Sequence, residues 1–235
     1  MPALSAIAFD ADDTLWHNER FFRMTHDHFT DLLADYAGRD HLEDRLLEAE
    51  RRNVGRYGYG IKGFTLSMIE TALEVTDNRV PGRVIGELVA AGRAMLAHPI
   101  ELLPHARETV EALKGRHRLF VITKGDLLDQ ERKIAQSGLG EIFDAVEIVS
   151  DKTPPVYAGI FRRLGVAPDA AMMVGNSLKS DVLPVLALGG WGIHVPHDLT
   201  WAFEHETAPE AEARFRTIND LGALPGLIGE IEAEG

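Results

Sequence analysis

The chain has 235 residues, of which 45% are hydrophobic and 26% charged; 24 Lys and Arg against 37 Asp and Glu leave a formal charge of −13. That length and apolar content support a sizeable core without staples and exclude general disorder. The acidity argues against a nucleic-acid partner or an anionic membrane surface, although a metal ion and a few local cations can reverse the field in one cleft and admit a small phosphorylated substrate.

Cysteine is absent, which excludes disulfides and thiolate metal sites and fits a reducing compartment. No apolar stretch approaches the roughly 18 residues that cross a bilayer. Met1-Pro2-Ala3-Leu4-Ser5 lacks the basic region that precedes the apolar core of a secretory signal. The expectation is a cytoplasmic protein, monomeric or homodimeric.

The first predicted strand, residues 4–9, is an apolar run that stops at Asp10. Residues 17–98 contain no strand run, and their apolar side chains recur at helical spacing. Phe22, Thr25, Phe29, Leu33 and Tyr36 form one stripe; Val84, Ile85, Leu88, Val89 and Met95 form another. Shorter helices are expected over 42–49 and 64–73. This segment is read as a helical subdomain inserted after the first strand, flanked by residues 14–18 and 99–104.

Further apolar runs follow at 119–122, 145–149 and 171–174, ending at Thr123-Lys124-Gly125, Ser150-Asp151-Lys152 and Gly175-Asn176-Ser177. A fifth is expected at 192–195 and a short last one at 215–218. Helices are predicted over 126–137, from Thr153 onward, over 178–188 with a kink at Pro184, and over 221–231. Short apolar runs without clear alternation suit strands covered on both faces. Alternation with helices predicts an α/β fold, a Rossmann-like parallel sheet with helices on both faces plus the inserted all-helical cap. The expected domains are a core of residues 1–16 and 99–235 and a cap of residues 17–98. In such sheets the carboxyl ends of the strands line the ligand crevice, so the four polar breaks converge there.

In Asp10-Ala11-Asp12-Asp13-Thr14, Asp10 and Asp12 share a side if the chain is extended. Two carboxylates so placed need a cation or proton between them, and one can attack while the other carries a proton. An acidic turn exposed to water has the same residues. Thr123 with the following backbone amides makes an anion seat or simply starts a helix. Lys152 could neutralise a phosphoryl group or lie in solvent. Asn176 and Asp181 offer hard oxygen donors of the type Mg²⁺ takes, or the former caps a helix.

Taken together, these residues resemble the haloacid dehalogenase superfamily. Its first motif, Asp-x-Asp-x-Thr after an apolar strand, matches Asp10, Asp12 and Thr14; its second matches Thr123, its third Lys152, and its fourth Gly175-Asn176 with Asp181. Two departures stand out: Asp13 where the family often has Gly, and Asn176 in place of an Asp.

The resemblance implies a Mg²⁺-dependent phosphomonoester hydrolase (a phosphatase) acting on a small phosphorylated metabolite. Asp10 would attack phosphorus to form an aspartyl-phosphate. Asp12 would protonate the leaving oxygen and then take a proton from water. Asp10, the Asp12 backbone carbonyl, Asn176 and Asp181 would hold the metal. Thr123, Lys124, Gly125 and Lys152 would hold the phosphoryl oxygens.

The alternatives are a phosphomutase, a dehalogenase or a phosphonate hydrolase of the same superfamily, and, in another class, a phosphoaccepting receiver domain. A dehalogenase needs no acid at the position of Asp12. A phosphonate hydrolase wants a reactive cap lysine, and Lys62 is the only lysine in 17–98. The glycine-rich stretch 56–64 is the candidate substrate loop, with Tyr57, Tyr59 and Lys62 as its polar contacts; a plain helix connector is the other reading of it.

Overall fold

The protein was analysed as a computed structural model that describes residues 3–199 and 201–233. Met1 and Pro2, part of the stretch read above for a secretory signal, lie outside the described residues. The chain divides into two compact units, one of Met1–Glu19, Ile100–Lys124 and Gln130–Gly235, the other of Arg20–Pro99 and Gly125–Asp129.

The first unit is built on six parallel strands: β1 (Ala6–Phe9), β2 (Arg118–Lys124), β3 (Ala145–Val149), β4 (Ala171–Gly175), β5 (Trp191–His194) and β6 (Phe215–Thr217), in the order β3-β2-β1-β4-β5-β6. The predicted strands fall on these six within about two residues at each end. Ile7 and Phe9 face α5 (Ala106–Leu113), α6 (Leu127–Ser137) and α9 (Leu224–Ala233) in one core. Ala6 and Ala8 face α7 (Pro154–Leu164) and α8 (Leu183–Leu186) in another. The strand period of two thus feeds two separate cores. That is why the strands read as continuous apolar runs.

The chain adds β2 and β3 on one side of β1, then returns to add β4, β5 and β6 on the other. The reversal lies between β1 and β4, where Phe9 is paired with Val174. Loops leaving the carboxyl ends of two such strands turn away from each other and open a crevice. Asp10 and Asn176 sit at those ends.

Two expectations need correction. β3 is an edge strand, with Val146 37% exposed, so it is not covered on both faces. The predicted helix over 178–188 is a π-helical turn, Leu178–Val182, followed by the single turn of α8. Pro184 sits in the first turn of α8, where its missing N–H costs little, rather than kinking a longer helix.

The second unit contains α2 (Arg39–Tyr57), α3 (Ile61–Val75), α4 (Gly82–Ala97) and most of α1 (Glu19–Leu32). α3 packs against both α2 and α4. Its core includes Phe29, Leu33, Leu46, Phe64, Met68 and Leu88. Tyr36 departs from the predicted stripe: it lies beyond the end of α1 and is exposed. Among the described residues no helix is long and apolar enough to cross a membrane.

Candidate active site

Asp10 follows β1 directly and its N–H donates to the Val174 carbonyl in β4 (2.9 Å). Its side chain is buried. Lys152, from the loop after β3, donates to Asp10 Oδ1 and, at 2.6 Å, to Asp181 Oδ1. The Ser177 N–H holds the other Asp181 oxygen at 3.0 Å. A Cβ on Gly175 would lie 2.2 Å from Asp181 Oδ2, so only glycine at the end of β4 lets that carboxylate seat.

Two carboxylates and one ammonium are therefore buried together. Burial, helped by Asp181 and opposed by Lys152, leaves the Asp10 carboxyl raised to about 7. Burial also works against the Lys152 ammonium, but its two carboxylate partners outweigh this and leave the lysine a weaker acid than usual. With both carboxylates ionised the cluster carries one excess negative charge.

Thr14 bridges the two central strand ends. Its Oγ1 accepts from the Asn176 N–H (3.1 Å) and lies 3.5 Å from Asp10 Oδ2 and 3.4 Å from Asn176 Oδ1. An acidic oxygen and an amide oxygen thus converge on one hydroxyl. These are hard donors with excess negative charge beside them, and they fit Mg²⁺. Among the described residues no three His, Cys, Asp or Glu side chains form a metal-holding group.

Asp12 stands apart from the buried triad. Trp16 Nε1 donates to its Oδ1 (2.7 Å), Lys133 Nζ to both oxygens (3.0 Å each) and Gln130 Nε2 to Oδ2 (3.2 Å). Gln130 Nε2 also lies 2.6 Å from Thr123 Oγ1. Thr123 and Lys152 are both buried at strand ends.

The Lys124 ammonium pairs with Glu204 and donates to Ser180 Oγ (2.8 Å). Gly125 falls in the second unit. There Tyr57 donates to Glu70 (3.1 Å), Lys62 pairs with both oxygens of Asp126 (2.9 Å each), and Tyr59 is half-buried.

Asp13 explains one departure from the family pattern. It has φ 59°, a left-handed backbone that glycine adopts freely and Asp tolerates. Its carboxylate turns to the start of α1, accepting from the amides of Asn18 (2.8 Å) and Glu19 (2.9 Å). Burial pushes its carboxyl up to about 6, against the pull of the Asn18 amide and His197. Asp therefore supplies a helix cap that Gly would not.

Sequence reasoning missed Glu204. Its carboxylate accepts from Lys124, Ser177 and Ser180 and ties the segment after β5 to the start of the π-helical turn. Burial alone would raise the Glu204 carboxyl, but Lys124 and the two hydroxyls outweigh it and hold it below its ordinary value. A depressed carboxyl stabilises the fold above the ordinary carboxylate range, and that contribution fades as pH falls through the folded-state value. Glu204→Gln is expected to cost about 1–3 kcal/mol near neutrality. Unfolding measured from about pH 7 to pH 3 should fall less steeply for the variant than for the wild type.

The sequence profile of haloacid dehalogenase-like hydrolases matches residues 4–189. The chain belongs to this family. Among solved structures, a haloacid dehalogenase-like family hydrolase from Xanthomonas campestris is 41% identical, with TM-score 0.89 over 99% of this chain and 93% of that one. L-2-haloacid dehalogenase from Xanthobacter autotrophicus is 20% identical, with TM-score 0.64 over 97% and 99%; this likeness is one of fold. Among curated proteins, glyceraldehyde 3-phosphate phosphatase from Methanothermobacter thermautotrophicus is 25% identical over 96% of this chain and all of that one. As a haloacid dehalogenase-like hydrolase the chain is an enzyme, and its Rossmann-like sheet is the one this family uses.

Proposed function

We propose that this hydrolase is a phosphomonoester phosphatase that works through an aspartyl-phosphate on Asp10. The observation that carries the reading is the buried Asp10–Lys152–Asp181 cluster with a second, separately held carboxylate, Asp12, two residues along. A nucleophile beside a cation and an independent acid–base group is the equipment for two-step phosphoryl transfer.

Asp10 attacks phosphorus as the P–O bond to the leaving group breaks. Asp12 gives its proton to the departing oxygen, then takes one from the water that cleaves the aspartyl-phosphate. Lys152 moves from the carboxylate to the phosphoryl oxygens as charge builds there, and the Thr123 hydroxyl donates to the same group. Mg²⁺ fits Asp10, the Asp12 backbone carbonyl, Asn176 and Asp181, and when bound it neutralises charge on the transferring group. Asp181 also seats Lys152, accepting from its ammonium while the Ser177 N–H holds the other oxygen.

The substrate is proposed to be a small phosphorylated metabolite handled in the cytoplasm. Triose phosphates head the panel, because the curated relative above is named for one. Residues 17–98 are proposed as the cap, with Tyr57, Tyr59 and Lys62 as its contacts, and Gly125 and Lys124 as part of the phosphate seat.

Phosphate release should be measured over a panel of phosphorylated metabolites with Mg²⁺ and again with chelator. Release that depends on Mg²⁺ is the expected result. A stable phosphoprotein without turnover would instead make the chain a phosphoacceptor, and no release from any compound would refute the reading.

A further inference from the structure

We propose that Lys133 and Gln130 are positioning residues for Asp12, fixing its carboxylate for proton transfer and coupling it to the phosphate seat; this rests on the reading of Asp12 as acid and base. Both lie on α6, three residues apart and so on one face. That face is buried but polar: Gln130 is 1% exposed and Lys133 6%. A lysine rarely goes inside unless it is paired, and here Asp12 is a partner.

Lys133 Nζ reaches both Asp12 oxygens at 3.0 Å and the side-chain carbonyl of Asn18 at 2.8 Å. A symmetric contact to both oxygens fixes the rotation of the carboxylate as well as its place. With Trp16 and Gln130 added, each Asp12 oxygen has two donors.

Gln130 supplies the coupling. Its Nε2 lies within hydrogen-bond distance of Asp12 Oδ2, Thr123 Oγ1 and the Lys124 carbonyl. A carboxylate and a carbonyl can only accept, so the amide nitrogen must face them. Thr123 then accepts from Gln130 and keeps its own proton to donate to a phosphoryl oxygen. One amide thus sets the hydroxyl that binds the phosphoryl group and the carboxylate that moves the proton.

The test uses rapid mixing with 2,4-dinitrophenyl phosphate. Dinitrophenolate leaves without a proton, so the burst of phenolate reads phosphorylation of Asp10 with little help from Asp12. Steady-state turnover reads hydrolysis of the aspartyl-phosphate, for which Asp12 must take a proton from water. Lys133→Met should keep the burst rate within about threefold while turnover falls about 10- to 100-fold, the lower part of the range for general acid–base catalysis; Gln130→Leu, which also releases the Thr123 hydroxyl, should lower the burst as well as turnover. Lys133→Arg, which can still donate to both oxygens, should recover most of the turnover.

For Lys133→Met, burst and turnover falling together, or neither falling, would overturn the inference. If Lys133→Met does not fold, Lys133→Gln, which removes the charge but stays polar, carries the same contrast. Asp12→Ala separates the two levels. If it too spares turnover, the reading of Asp12 itself fails; if it shows the split and Lys133→Met does not, only the positioning role fails.

Discussion

Asp10→Asn is expected to reduce phosphate release to the level of uncatalysed hydrolysis while leaving the fold in place. The amide has nearly the same shape but no anionic oxygen to attack phosphorus, so the first step is lost outright. Stability should change little, because two effects oppose each other. Burial already disfavours the Asp10 charge, pushing its carboxyl up to about 7, and a neutral side chain removes that cost. Lys152 loses one partner but keeps Asp181 at 2.6 Å. The measurement is phosphate release and phosphoprotein formation alongside thermal unfolding. Residual turnover above background in a folded variant would remove Asp10 from the role of nucleophile.

Lys152→Met is expected to cost both stability and activity. The side chain is 2% exposed and stands between two buried carboxylates. Taking the cation away leaves like charges facing each other out of water, a loss of about 3–5 kcal/mol for a broken buried pair. Turnover should fall with it, because the ammonium that pairs with Asp10 is the one lost. The double variant Lys152→Met/Asp181→Asn should be more stable than Lys152→Met alone, since it removes one of the stranded charges. Denaturant unfolding of the two variants checks this. Equal stability would mean that the three groups do not act as one electrostatic unit.

Much of the sheet and of the buried triad was legible because both depend on abrupt changes along the chain. An apolar run that stops at Asp10, Thr123 or Gly175 marks a strand end whatever the rest of the fold does, and parallel strands bring such ends to one edge. Lys133 and Gln130 were not legible. On α6 they belong to an ordinary amphipathic pattern, and a polar helix face is read as facing water unless something else shows it covered. Glu204 escaped for a related reason: it sits in a three-residue 3₁₀ turn with no periodicity to say where it docks. The π-helical turn at Leu178–Val182 was hidden behind Pro184, which signals a break whether it kinks a helix or begins one. Asp13 shows a partial success, since the residue drew notice as a departure while its left-handed backbone needed coordinates.

The Asp10–Lys152 contact joins residues 142 positions apart, and Asp181 joins it from the other side of the chain reversal, after β4. As the polypeptide leaves the ribosome, Asp10 emerges well before either Lys152 or Asp181 exists, and its carboxylate must wait in water. Chemistry therefore arrives late in biogenesis, after β4 has docked beside β1 and closed a long loop. A nascent chain stalled short of Asp181 would carry Asp10 without the partners that bury and pair it.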